Sequence, residues 1–173
     1  MRHPKIRYML KTLHHKWFVF RFGLKTKAPI WRLLIHDWTK FTPAELPAYA
    51  DRFFGENRDQ MAFAKAWNHH HKANPHHWEY WIPLTAHSRS PIPGGVPLPM
   101  PEWAVREMVA DWLGAERSYN GYIPARLAEW PWYNAERPTM RLHPETSALV
   151  DRVLAEYFAS ASGSGDAVED IAT

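Results

Sequence analysis

The sequence predicts an all-α protein, and three observations carry the prediction. Apolar residues recur in steps of three and four along several stretches, which is the spacing of one helix face. No alternating apolar–polar run is long enough to make a strand. Fifteen prolines exclude one continuous long helix, because each removes a donor and clashes with the preceding turn. The expected architecture is a compact helical bundle with a long Pro-rich loop. A chain of 173 residues, 46% of them hydrophobic, suits one core. The single domain is expected over 1–159, followed by a disordered tail over 160–173.

The elements follow in order. Ile6, Met9, Leu10, Leu13, Trp17 and Phe20 form the apolar stripe of a first helix that closes near Gly23. A second helix begins around Pro29 and carries Trp31, Leu34, Ile35 and Trp38. Thr42-Pro43-Ala44-Glu45 reads as a capping box, so a third helix is expected from there to about Phe54, broken by Gly55 and Asn57. A fourth starts near Asp59, turns Met61, Ala64, Trp67 and His71 to one side, and stops at Asn74-Pro75. Residues 83–101 hold six prolines and two glycines, which excludes regular structure and suits a lid or specificity loop. Helical character returns at Pro101-Glu102, with Val105, Met108, Val109 and Trp112 on one stripe. The last helix follows Leu142-His143-Pro144 and carries Thr146, Leu149, Val150, Val153 and Tyr157. From about Ser160 the Ser/Gly/Ala-rich tail has nothing to pack.

Charge is uneven. Residues 1–40 hold ten Lys or Arg against one acid, Asp37, whereas 160–173 hold three acids and no base. A basic end attracts nucleic acid and equally suits small phosphorylated substrates. No apolar run approaches the roughly 20 residues that cross a bilayer, and the N-terminus lacks the pattern of a secretion signal. A cytoplasmic protein with no membrane partner is expected.

With no cysteine, any metal must be held by histidines and carboxylates. The 11 histidines cluster as His14-His15, His36-Asp37, His69-His70-His71 and His76-His77, with His3, His87 and His143 apart. Successive helices therefore offer His14 or His15, then His36 and Asp37, then one of the consecutive histidines, which cannot all face one site. The fifth helix adds Glu107 and Asp111, four residues apart and on one face. Asp111 stands between Ala110 and Trp112, where a carboxylate is costly unless it meets a cation or donors. The tryptophans at 67, 78, 81, 103, 112, 130 and 132 read chiefly as core; a minority could wall a pocket that stacks on a base.

The order His15, His36-Asp37, Asp111 resembles the HD-domain metal-dependent phosphohydrolases. The stretch His36-Asp37-Trp38-Thr39-Lys40 has their HDxxK form, and His71 with His76 or His77 matches their middle histidines. More closely, the chain resembles a family of small uncharacterised phage and bacterial proteins, whose features recur as HKWFV, HDWTKFTPAE, AWNHHHKANPHHWEYW and EMVADW over roughly residues 8–158. The HK dipeptide favours His15 over His14, and the HKANPHH stretch favours His71 over His70.

The resemblance implies one divalent ion on His15, His36, Asp37 and Asp111, with Asp37 bridging to a second on His71 and His76 or His77. Mn²⁺, Fe²⁺, Co²⁺, Mg²⁺ or Zn²⁺ fits such ligands and would activate water against phosphorus. Lys40 is expected at the substrate phosphate, with Arg32, Lys72 and Asn74 completing the substrate contacts. Glu107 or Glu45 could orient the water or support a ligand, although Glu45 reads first as a cap. The implied activity is hydrolysis of a phosphoester or phosphoanhydride in a nucleotide or other small phosphorylated metabolite, in a bacterial cytoplasm during phage infection. Two other readings stand beside it: a basic helical nucleic-acid-binding protein, and a non-catalytic protein with a structural metal. Oligomeric state stays open.

Overall fold

The computed structural model describes residues 3–83 and 95–163. Its helices are α1 (Pro4–Lys25), α2 (Ile30–Ile35), α3 (Leu46–Phe54), α4 (Gln60–Ala73), α5 (Glu102–Ala115), α6 (Pro131–Glu136) and α7 (Pro144–Gly163). Short 3-10 turns follow α2 (Trp38–Phe41) and α4 (Trp78–Trp81), and a π-turn over Glu116–Asn120 extends α5. No strand occurs among the described residues, so the all-α expectation holds.

Local chemistry sets the ends. Pro4 opens α1 where its missing N–H costs nothing. Asp59 caps α4 by accepting from the Met61 and Ala62 amides, and Asn74 before Pro75 ends it. The expected capping box at Thr42–Glu45 does not form. Thr42 donates its hydroxyl to the Thr39 carbonyl, Glu45 makes no side-chain cap, and α3 starts only at Leu46. α7 continues to Gly163, past the expected boundary at 159, so residues 160–163 are helix. Residues 164–173 and most of the Pro-rich stretch, 84–94, lie outside the described residues; 95–101 is irregular as expected.

α5 is the central helix. It packs against α1 on one side and α7 on another, while α1 also lies on α3. Val105, Met108, Val109 and Leu113 of α5 form the core with Val19 and Phe22 of α1 and Val150, Val153 and Leu154 of α7. A smaller cluster, Tyr8, Tyr49, Ala50 and Ala66, joins α1, α3 and α4. Gly114 lets α1 and α5 cross closely: a Cβ there would lie 2.8 Å from the Val19 amide nitrogen. That close approach, one turn from both His15 and Asp111, brings those two side chains within reach.

The apolar stripes of α1 and α2 face outward, contrary to the sequence expectation. α1 buries Tyr8, Thr12, His15, Val19 and Phe22, whereas Ile6, Leu10, Leu13 and Trp17 are exposed, Trp17 at 57%. α2 buries only Leu33; Trp31, Leu34 and Ile35 are exposed, as is Trp38 after it at 67%. The inner face of α1 carries a histidine and a threonine because the groups opposite it are polar. Thr12 satisfies its hydroxyl on the Tyr8 carbonyl at 3.0 Å.

Candidate metal centre

Histidines and carboxylates from α1, α2, α4 and α5 converge at the middle of the bundle. Asp37 is the hinge of the arrangement. It follows α2 in the left-handed backbone region, φ 56° and ψ 20°, a conformation that Asp tolerates better than most residues and that occurs often at functional sites. Its carboxylate is 1% exposed and its two oxygens face different groups. Oδ2 lies 3.5 Å from His15 Nε2 and 3.6 Å from His36 Nε2. Asp111 Oδ1 closes the same group, 2.9 Å from His15 Nε2 and 3.4 Å from His36 Nε2. Oδ1 of Asp37 faces the second group, 3.3 Å from His70 Nε2 and 3.5 Å from His76 Nε2. His77 Nε2 joins it, 2.9 Å from His70 Nε2.

Two pockets therefore share Asp37. His15, His36, Asp37 and Asp111 form one, and Asp37, His70, His76 and His77 form the other. His15 Nε2, His36 Nε2, His76 Nε2 and Asp37 Oδ1 are buried with no hydrogen-bond partner. Buried polar atoms are costly in that condition, and here they point at common centres. Imidazole nitrogens and carboxylate oxygens in such sets fit divalent cations, so the residues present suit the expected metal.

A second layer of carboxylates orients the rings. Glu107 Oε1 accepts from His36 Nδ1 at 3.1 Å and lies 3.2 Å from His76 Nδ1 without a hydrogen bond, so one carboxylate sits behind one histidine of each pocket. Glu45 Oε2 accepts from His70 Nδ1 at 2.9 Å, and its Oε1 from His69 Nδ1 at 2.7 Å. Protons held on Nδ1 leave Nε2 free to ligate. His15 is backed by Ser118, with Nδ1 3.5 Å from Oγ, and stacks on Tyr119.

The electrostatics follow from this crowding. Burial alone would raise the Asp37 carboxyl, but the charges of His36, Lys40 and His70 hold it well below the carboxylate range. Glu107 is likewise pushed up by burial and brought down to about 2 by His36 and His76. Burial pulls the His15 and His36 imidazoles down, and their carboxylate partners raise them above the usual value. His71 is instead lowered to about 4, by burial first and then by the neighbouring His70.

Of the residues expected from sequence, His15, His36, Asp37, His76, His77 and Asp111 come together in these pockets, and Glu107 supports them. His71 belongs to neither of these two pockets; with His77 and Glu79 it forms a further set of donors beside the second one. It stacks on Trp67 and faces Glu79 at 3.6 Å, while His70, one residue and about 100° away on α4, points at Asp37. Glu45 is a ring-orienting group and not a cap. Lys40 contacts Asp37 Oδ2 at 2.5 Å, beside the expected phosphate position. The other expected substrate contacts have interior tasks. Arg32 donates to Glu107 Oε2 at 2.7 Å between the rings of Trp31 and Trp103. Lys72 donates to the Glu79 and Ile82 carbonyls. Asn74 donates to the His70 carbonyl and to Thr39 Oγ1, both at 2.8 Å. Sequence reasoning preferred His71 to His70; in the structure Ala66, His70 and Asn74, four apart, share the buried side of α4.

A cavity of about 500 Å³ opens beside the second pocket, with His77 and Asp111 in its wall. No helix among the described residues is long and apolar enough to cross a membrane.

A family model matches residues 5–156, a span that contains every residue of both pockets. The chain belongs to DUF5662. That family is described as one of unknown function. No curated protein matches this DUF5662 chain, and no solved structure does.

Proposed function

We propose that this DUF5662 protein is a metal-dependent phosphohydrolase acting on a nucleotide or another small phosphorylated metabolite. The observation that carries the reading is the Asp37 carboxylate, buried between two histidine-rich pockets with one oxygen facing each. Shared carboxylates of this kind suit a pair of divalent ions, and the resemblance of the sequence to the HD-type hydrolases supports the same reading. Ions there would supply an activated water and a Lewis acid for a phosphoryl oxygen. The chain's own residues do the rest. Glu45 and Glu107 fix the imidazole rings, Asp111 and Asp37 set the negative charge of the pockets, and Lys40 offers an ammonium to the phosphate. Lys40 is raised well above its usual value, because Asp37 outweighs the burial that would lower it, so it stays charged at any pH of interest.

For the alternative nucleic-acid reading the basic N-terminal segment is divided: Lys16 and Arg32 are bound to interior partners, whereas Lys5, Arg7, Lys25 and Lys27 stay exposed. The test is Mn²⁺ binding and phosphate release by the metal-stripped chain beside Asp37→Ala. Binding of one or two ions, lost in the variant together with metal-dependent phosphoester hydrolysis, is expected. Turnover retained in Asp37→Ala would overturn the proposal, and chelation that unfolds a protein with no turnover would favour a structural metal.

A further inference from the structure

The cavity beside the second pocket has the wrong charge for phosphate. It is walled by Trp67, Trp78, Trp112 and Trp132 and carries Glu79, Asp111, Glu116 and Glu136, and no lysine or arginine among the described residues lines it. The basic residues nearest in sequence to the centre are spent elsewhere: Lys40 on Asp37, Arg32 on Glu107, Lys72 on backbone carbonyls. Two of these carboxylates, Glu116 and Glu79, differ in their partners. Both oxygens of Glu116 are satisfied, by Asn120 Nδ2 and by Trp130 Nε1, each at 2.8 Å. Glu79 has His71 at 3.6 Å from Oε1 and His77 close by, but its Oε2 is buried with no hydrogen-bond partner.

A buried carboxylate oxygen without a donor is costly, and a charged donor satisfies it best. Indole faces attract the same kind of group through the negative potential above the ring. We infer that the cavity receives a protonated amine. On the phosphohydrolase reading, the substrate is a phosphoester whose organic part bears an ammonium group, with phosphate at the metal pockets and ammonium at Glu79. His77 and Asp111, shared by cavity and pockets, mark the junction between the two ends. Polyphosphate tails and carboxylates are repelled by the cavity, and a neutral nucleobase fills it without bringing charge to Glu79.

The test is calorimetric binding of phenethylamine, 2-phenylethanol, hydrocinnamate and adenosine to the full chain, with EDTA and again with Mn²⁺. The first three share a ring and differ in the charge of the end group. The amine is expected to bind at least about tenfold tighter than the other three, and Glu79→Gln to abolish that preference. The substitution is isosteric, and Lys72 holds only the backbone oxygen of Glu79, so an unchanged melting temperature checks the fold. If that variant fails to fold, Trp67→Leu takes its place, with weaker amine binding expected. Equal affinities, a preference for the acid or the nucleoside, no binding by any probe, or a preference that survives Glu79→Gln would overturn the inference. The EDTA arm separates the two readings. Amine selection without Mn²⁺ binding defeats the phosphohydrolase alone, and Mn²⁺ binding without amine selection defeats the ammonium site alone.

Discussion

The two faces of α1 make opposite choices. Its inner face carries Thr12 and His15 among Tyr8, Val19 and Phe22, all buried. Its outer face carries Ile6, Leu10, Leu13 and Trp17, all exposed. Hydropathy alone would turn the helix round by half a revolution. What holds it is the pairing of His15 with Asp37 and Asp111 and the close crossing of Val19 over Gly114. The inner face gives up some apolar burial in order to place one imidazole. A helix that behaves in this way is oriented by its chemistry, and its exposed stripe is the consequence.

Adjacent histidines offer the hardest test of that contrast. His14 is exposed and stacks edge-on with Phe18, while His15 is buried in the first pocket. His15→Ala should abolish tight binding of one ion, and His14→Ala should leave Mn²⁺ affinity unchanged, both read by calorimetry on stripped protein. The same experiment on α4 should give loss with His70→Ala and little change with His71→Ala. Equal effects within either pair would mean that α1 or α4 is rotated relative to this structure.

A finer division separates the two carboxylates behind the rings. Glu107 backs His36 of one pocket and His76 of the other. Of the pocket histidines, Glu45 backs His70 alone. Removing a carboxylate that orients a metal-bound histidine costs roughly 10–100-fold in metal affinity. Glu107→Gln should therefore weaken both ions by about that factor, and Glu45→Gln only the second, as resolved by competition with a coloured chelator. Two ions weakened equally by Glu45→Gln would show that the pockets are coupled through Asp37 and not through Glu107.

The legibility of the sequence divides along the same line. Where burial is purely apolar, periodicity located the core: Val105, Met108 and Val109 of α5, and Val150, Val153 and Tyr157 of α7, are all buried. Where chemistry orients a helix, periodicity pointed the wrong way, as in α1, α2 and α4. The pocket residues were legible as types and order, since a cysteine-free chain that clusters histidines beside Asp37 and Asp111 has few other uses for them. The choice of His70 over His71 was not, because consecutive helical residues differ only in direction. Glu45 was obscured for a related reason: Thr42-Pro43-Ala44-Glu45 satisfies the local rule for a cap, and only the tertiary approach of α4 recruits its carboxylate.

The smallest expected effect lies on the outer face. Val19 is fully buried against α5, and Val19→Ala removes two carbons from the core, which costs about 2 kcal/mol of stability. Trp17 and Leu34 are larger and more apolar, yet at 57% and 65% exposure they bury little to lose. Trp17→Ser and Leu34→Ser should each change the unfolding free energy by less than about 0.5 kcal/mol, measured by urea denaturation at low protein concentration. Apolar residues left in water add no folding energy, so substituting them removes none. A loss at Trp17 as large as that at Val19 would show the stripe to be covered in the folded state. Dependence of that loss on protein concentration would then identify a second copy of the chain as the cover.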